Sequence, residues 1–148
     1  MKTLSYGTYV AVLALYLLGC SGTHNEKPIA WETSIPLGIE QAGVGQPLFV
    51  YFNATWCKVC ARMERETLQS PEVGRAMAGY VPVKIDVDVQ SRTAAHYGAA
   101  AVPTYLIVER SGAVRARTAG FLSGGELAEF LMASEKELRG ELRDGRIE

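Results

Sequence analysis

The stretch Tyr51–Glu64, YFNATWCKVCARME, places two cysteines three residues apart, between an apolar run and a helical pattern. Leu48–Phe52, LFVYF, is a continuous run of strand-forming residues, which is typical of a strand covered on both faces. From Cys57 to about Leu68 the apolar spacing becomes helical, and Pro71 prevents the helix from continuing. The cysteine pair therefore stands at a strand-to-helix junction. Three uses of it are open at this point: a redox centre, half of a zinc site, or a structural disulfide.

Strand and helix signals continue on both sides of this junction. A short helix is predicted from near Ser34 to about Ala42, and Ser123 with Glu126 forms a capping-box pattern that begins a last helix. Between the cysteines and that helix the sequence predicts a short helix at Glu72–Ala78, a strand at Val81–Val87, a helix at Gln90–Tyr97, a strand at Thr104–Glu109, a turn at 110–112 and a strand at Ala113–Ala119. The order β-α-β-α-β-β-α predicts an α/β fold with a mixed central sheet flanked by helices.

The composition is that of one ordinary globular domain. The chain has 148 residues, a net charge of −1, 48% apolar residues and 21% charged residues. It has no basic bias, so we expect no nucleic-acid partner. Three cysteines are too few for a disulfide framework. We expect a monomer.

The N-terminal sequence indicates an export signal. Lys2 precedes the apolar run Val10–Leu18, which is shorter than the roughly 18 residues that a membrane-spanning helix needs. The run ends in LLGC, Leu17–Cys20, which resembles the lipobox of bacterial lipoproteins. That resemblance implies cleavage before Cys20 and a lipid anchor on it. A plain signal peptide with an incidental cysteine is the alternative.

On the lipoprotein interpretation the chain has three parts. We expect a signal peptide at 1–19, a lipid anchor and tether at 20–30, and the folded domain at 31–148. Ser21 follows the anchor where inner-membrane retention commonly places Asp, so the lipoprotein rule favours the periplasmic side of the outer membrane. Outside the cytosol thiols tend to be oxidised, so a CxxC motif there is either a disulfide or is actively maintained.

The position of the pair suits dithiol exchange. Cys57 stands at the predicted helix start, where unpaired N–H groups and the helix dipole favour a thiolate, and Lys58 adds a nearby cation. Cys60 lies one turn further on the same face, so we expect Cys57 to attack and Cys60 to resolve the mixed disulfide. Trp56 is either an aromatic shoulder for substrate docking or part of the core.

The zinc-site and structural-disulfide alternatives have less support than the redox centre. Zinc needs four ligands, and His24 and His96 show no ligand spacing relative to the pair. A disulfide between residues so close in sequence closes a very small loop and stabilises little. A dithiol that holds copper(I) remains a rival, although the extra Met or His ligands one would look for are missing. We expect no metal and no organic cofactor, only a redox-active Cys57–Cys60 disulfide.

Two motifs together resemble the thioredoxin-like superfamily: WCKVC at Trp56–Cys60 and AVPT at Ala101–Thr104. Within it, the stretch that begins at Tyr51 and the later VPVKIDVDV are most similar to the C-terminal thioredoxin domain of DsbD-type interchange proteins and to small exported relatives. The resemblance covers about 31–131. It implies a thioredoxin-like fold with the CxxC motif at a helix N-terminus. It also implies that Val102 and a cis Pro103 present backbone to an extended substrate.

One position departs from the family pattern. Thioredoxins usually carry an Asp six residues before the first cysteine as proton acceptor for the resolving thiol, and this chain has Tyr51 there. Glu64 lies four residues after Cys60, on the same helical face, and DsbD-like domains also have a Glu there. Our hypothesis is that Glu64 takes the Cys60 proton. The alternative is a surface carboxylate paired with a neighbouring Arg.

The sequence thus predicts an exported, membrane-anchored thiol:disulfide oxidoreductase. The thioredoxin and DsbD resemblance favours a reductase that acts on disulfide-containing periplasmic proteins and is recharged by a membrane thiol donor of the DsbD type. A thiol oxidase or isomerase is the alternative, because Lys58 and the missing Asp favour a reduced Cys57.

Overall fold

The protein is built on a mixed four-stranded sheet with helices on both faces, and its structure, a computed structural model, describes residues 28–145. The elements in chain order are α1 (Ile35–Gln41), β1 (Leu48–Asn53), α2 (Lys58–Arg62, which continues as a π-helix at Met63–Thr67), α3 (Pro71–Met77), β2 (Val81–Asp86), α4 (Ser91–His96), β3 (Thr104–Val108), β4 (Val114–Ala119) and α5 (Gly124–Arg143). Every predicted helix and strand is present, within a few residues of its predicted bounds.

The sheet has the strand order β2-β1-β3-β4. β1 is parallel to β2 and antiparallel to β3, and β3 forms an antiparallel hairpin with β4. The predicted mixed sheet with an antiparallel end is confirmed. All six residues of β1 are buried, as the continuous apolar run indicated, because helices cover this inner strand on both faces.

The pleat of β1 divides the core into two clusters. Phe49 and Tyr51 face α2, α3 and α5, together with Tyr105 of β3. Val50 and Phe52 face α1 and α4. The Tyr51 and Tyr105 rings stack with their centroids 5.4 Å apart, which continues one aromatic layer across the strand pair. Tyr51 therefore lies on the face of the sheet that α2 covers.

The second half of α2 is the main departure from the predicted elements. The apolar spacing predicts a helix, but 63–67 winds as a π-helix, closed by the Leu68 N–H bond to the Met63 carbonyl at 2.9 Å. The Met63 sulfur accepts a hydrogen bond from the Leu122 N–H at 3.3 Å, and the Thr67 hydroxyl donates to the Leu122 carbonyl at 2.5 Å. Single π turns occur frequently at functional sites. Here the turn lets two side chains hold one residue of the β4–α5 loop.

Two helices begin where the sequence predicted, each at a serine cap. The Ser34 side chain caps α1, and Ser123 with Glu126 forms the complete capping box of α5. Within residues 28–145 no helix is long and apolar enough to cross a membrane. The signal peptide and the lipid anchor remain predictions, because they rest on Val10–Leu18 and Cys20, which lie outside the described residues.

Candidate active site

The two cysteines lie at the N-terminus of α2 and form a disulfide with Cα atoms 5.2 Å apart. Cys57 is the N-cap residue, and its Sγ accepts a hydrogen bond from the Cys60 N–H at 3.1 Å. Cys57 is 6% exposed and Cys60 is 1% exposed. The geometry therefore places Cys57 on the outer side of the pair and points a helix N–H at its sulfur, where a thiolate is favoured.

The loop before β3 closes over the disulfide. The Val102–Pro103 peptide bond is cis, as the family resemblance implied. The Cys57 Sγ lies 3.7 Å from the Val102 carbonyl oxygen. In the disulfide this is a van der Waals contact, because the sulfur carries no hydrogen; the reduced thiol has an S–H to donate to the same oxygen. Cys57 and this backbone segment thus face one another, with Pro103 itself buried.

Trp56 is not part of the core. Its side chain is 66% exposed, and its indole Nε1 donates a hydrogen bond to the Asp88 carboxylate at 2.8 Å. Asp88 is held in turn by a bond from its own N–H to the Asp86 carboxylate at 2.9 Å. The core-packing alternative for Trp56 is therefore wrong. Val59 and Val89 are exposed apolar side chains near the same end of the sheet.

Glu64 occupies a polar cluster behind the cysteines. Its carboxylate forms an ion pair with the Lys84 ammonium of β2 at 2.8 Å, and its side chain is 38% exposed. The Tyr51 hydroxyl lies 3.4 Å from the Glu64 Oε1 and 3.4 Å from the Cys60 carbonyl, and the Asn53 amide lies 3.5 Å from the same Oε1. The cation beside Glu64 is therefore a lysine from the neighbouring strand, not the arginine that the alternative interpretation expected.

The Tyr51 phenol is a donor and not a base. Burial, then the negative charge of Glu64, then Tyr105 and the hydrogen bond to Glu64 raise the pKa of Tyr51 far above its ordinary value. The hydroxyl therefore stays protonated at neutral pH. It bridges the Glu64 carboxylate and the backbone of Cys60, at the position where the family pattern usually has an acid.

Lys84 and Asp88 are site residues that the sequence did not predict. Lys84 is the register partner of Tyr51 in the parallel pair of β1 and β2, so the two side chains share a face of the sheet. The alternation of VPVKIDV predicts which face of the strand Lys84 occupies. That Lys84 lies beside Tyr51 follows only when the pairing of the two strands is known. Asp88 follows β2 at the end of the sheet where Trp56 follows β1.

No cluster of three or more His, Cys, Asp or Glu side chains is placed to hold a metal ion within the part of the chain that the structure describes. The zinc alternative therefore finds no ligand set there. The copper alternative rests on the dithiol alone.

A family model described as a thioredoxin-like domain matches residues 39–134 of the chain. The chain is 36% identical to the thioredoxin of Pseudomonas aeruginosa over 89 residues, which are 60% of this chain and 79% of that protein. It is 29% identical to the thiol:disulfide interchange protein DsbD of Klebsiella pneumoniae over 93 residues, which are 59% of this chain. The matched region spans only 16% of that DsbD.

Solved structures share the fold. The C-terminal domain of Neisseria meningitidis DsbD in its oxidised form superposes with a TM-score of 0.62 at 23% identity, over 71% of this chain and 99% of that domain. The DsbH oxidoreductase superposes with a TM-score of 0.64 at 18% identity, over 74% of this chain and 86% of that one. The family match, the CxxC motif and the fold agree: the chain belongs to the thioredoxin-like family and is a thiol:disulfide oxidoreductase.

Proposed function

We propose that this protein is an exported, lipid-anchored reductase of disulfides in periplasmic client proteins. The observation that carries the proposal is the placement of the Cys57 sulfur, which accepts the Cys60 N–H at 3.1 Å and lies 3.7 Å from the Val102 carbonyl. A sulfur so placed has a donor that stabilises its anion and, beside it, the backbone of the partly exposed Val102 for a client segment.

In the first step the reduced protein attacks its client. The Cys57 thiolate bonds to one sulfur of the client disulfide, the client sulfur–sulfur bond breaks, and the released client thiolate takes a proton. The product is a mixed disulfide between Cys57 and the client. The Cys60 N–H that contacts the Cys57 sulfur stabilises the attacking thiolate.

In the second step Cys60 resolves the mixed disulfide. Cys60 gives up its proton and attacks the Cys57 sulfur, the bond from Cys57 to the client breaks, and the second client thiolate leaves and is protonated. Two electrons have moved to the client, and the Cys57–Cys60 disulfide remains. Turnover then needs a dithiol donor, for which we propose a membrane protein of the DsbD type.

Glu64 is the group that we propose as acceptor of the Cys60 proton. It lies one turn after Cys60, and the Tyr51 hydroxyl contacts both the Cys60 carbonyl and the Glu64 carboxylate. Lys84 balances the carboxylate charge, which keeps Glu64 in place while it is half-buried. The departure of the proton leaves a Cys60 thiolate next to the mixed disulfide.

The client binds along the open side of the disulfide. Trp56 and Val59 lie within two residues of Cys57, and Val89 follows Asp88, the hydrogen-bond partner of Trp56. All three are exposed apolar side chains, which suit a protein-binding surface. Val102, the residue before the cis Pro103, offers backbone groups to an extended client segment. The membrane attachment rests on Cys20 and its lipobox-like context.

The direction of exchange is tested by the reduction potential of the Cys57–Cys60 couple in a glutathione buffer. A reductase requires a potential near that of thioredoxin, about −270 mV, and a value near that of DsbA, about −120 mV, would instead make the protein an oxidase. Insulin reduction with a thiol donor tests the class, and Cys57→Ser must abolish it. Tight copper(I) binding by the reduced protein without turnover would overturn the proposal in favour of a binding module.

A further inference from the structure

Phe121 lies at the same end of the sheet as the disulfide, on the opposite side from Trp56. β2 and β4 are the two edge strands and both run parallel to β1, so the residues that follow them lie at one end of the sheet, at its two sides. Asp88, which holds Trp56, follows β2, and Phe121 follows β4. The Gly120 N–H donates to the Pro103 carbonyl at 2.9 Å, which joins this loop to the cis-proline segment.

A cation on the cysteine-bearing helix packs against the Phe121 ring. The Arg62 guanidinium lies 3.9 Å from the ring centroid, and its Nε forms an ion pair with Glu66 at 2.8 Å. The Phe121 residue remains 36% exposed. Glu66 balances the Arg62 charge. Phe121 therefore presents chiefly an apolar ring surface to a bound molecule.

The backbone beside Phe121 is anchored to the same helix. Both polar backbone groups of Leu122 are bonded by buried side chains of the π-helical turn, the N–H by the Met63 sulfur and the carbonyl by the Thr67 hydroxyl. The helix that carries Cys57 and Cys60 thus holds the loop by the ring of Phe121 and by the backbone of Leu122. These contacts hold Phe121 in place against the helix that carries the disulfide.

We propose that Phe121 is a specificity-determining residue that borders the client-binding side of the disulfide opposite Trp56. In this role it packs against an apolar side chain that flanks the reactive cysteine of an extended client segment. We assign a client segment as the occupant because Phe121 adjoins the reactive site. The Gly120 N–H is hydrogen-bonded to the Pro103 carbonyl, and the Val102 carbonyl lies beside the Cys57 sulfur. The proposal rests on the dithiol exchange of the proposed function and adds which clients that exchange prefers.

The test compares three disulfides as substrates of the full-length protein. Two are peptide disulfides that differ only in whether leucine or serine flanks the cysteine, and the third is bis(2-hydroxyethyl) disulfide. We expect the wild-type protein to prefer the leucine peptide in kcat/KM. We expect Phe121→Ala to reduce the leucine-to-serine ratio about fivefold, since losing the burial of one or two methylene-sized groups of the leucine is worth a factor of about 4 to 15. Phe121→Leu keeps an apolar side chain and should retain most of the ratio.

Val114→Ala is the matched control. Val114 is an exposed apolar residue at the other end of β4, about 17 Å along the strand from Ala119. Its substitution should leave the leucine-to-serine ratio unchanged. A ratio that Phe121→Ala does not alter, or an equal fall with all three disulfides, would overturn the specificity role. A wild-type protein that turns over none of the three would overturn the proposed function instead.

Discussion

The Glu64 carboxylate and the Lys84 ammonium form a 2.8 Å ion pair that links the cysteine-bearing helix to β2. Tyr51, the register partner of Lys84, directs its hydroxyl at the same carboxylate from β1, at 3.4 Å. A strand position that usually supplies an acid in thioredoxins therefore supplies a neutral donor here. The carboxylate comes from the helix, and its cation comes from the sheet.

Replacing Glu64 with Gln should slow resolution of the mixed disulfide and leave its formation unchanged. A positioned acid–base group contributes about 10²-fold or more, so we expect about a hundredfold slower release of the second client thiol at neutral pH. Rapid mixing of reduced protein with a peptide disulfide, followed across pH, measures both steps. Glu129→Gln, an exposed carboxylate of α5, is the control. An unchanged pH dependence of Cys60 reactivity in Glu64→Gln would remove Glu64 from the mechanism.

Lys84→Met should destabilise the fold modestly and only while Glu64 is present. The pair is partly exposed, with side chains 33% and 38% accessible, so solvent screening limits its contribution to about 0.5–1 kcal/mol. Urea unfolding of the two single variants and of the double variant Lys84→Met/Glu64→Gln gives the coupling free energy. Strictly additive effects would mean that the ion pair contributes nothing to stability.

Stability should fall steeply as the pH rises above 10. Burial raises the pKa of Tyr51, Tyr80 and Tyr105 above their ordinary value. Above pH 10 the unfolded chain has lost these protons and the folded chain keeps them, so each tyrosine lowers the unfolding free energy by about 1.4 kcal/mol per pH unit. Urea unfolding between pH 9 and 11 measures the slope, and Tyr80→Phe should reduce it by one proton. A flat profile would contradict the burial of the three phenols.

Two glycine-to-alanine changes should act in opposite directions. A Cβ on Gly38 in α1 would lie 2.6 Å from the Val83 Cγ2 and 2.9 Å from a Leu48 methyl, so Gly38→Ala should cost about 1–3 kcal/mol by overpacking. Gly140 in α5 has nothing within 4 Å of such a Cβ. Gly140→Ala should therefore stabilise by about 0.4–1 kcal/mol, through the lower entropy of the unfolded chain. Thermal or urea unfolding of both variants checks the signs. A stabilising Gly38→Ala would contradict the close packing of α1, and a destabilising Gly140→Ala would contradict the open space at that position.

The sequence predicted the strands, helix starts and helix caps, because each of these depends on residues that are neighbours in the chain. The run Leu48–Phe52, the cysteines at the start of a helix and the Ser123 capping box were readable because each signal lies within a few positions. Lys84 beside Glu64 was not readable, because it depends on the register of two strands that are far apart in the chain. The same holds for Leu122, which is held by side chains about sixty positions earlier.

The π-helical turn has a consequence for any comparison of this chain with its relatives. An α-helix advances by about 100° per residue, so a turn that holds one residue more rotates everything beyond it by about that angle. Residues before Met63 and after Thr67 therefore do not follow one helical wheel. Deleting a single residue within 63–67 would restore regular winding and leave Leu68 facing the core that it now fills, whereas regular winding of the undeleted sequence would turn Leu68 away from that core. In an alignment, a one-residue gap at this place would therefore mark a difference in helix winding and not a shortened loop.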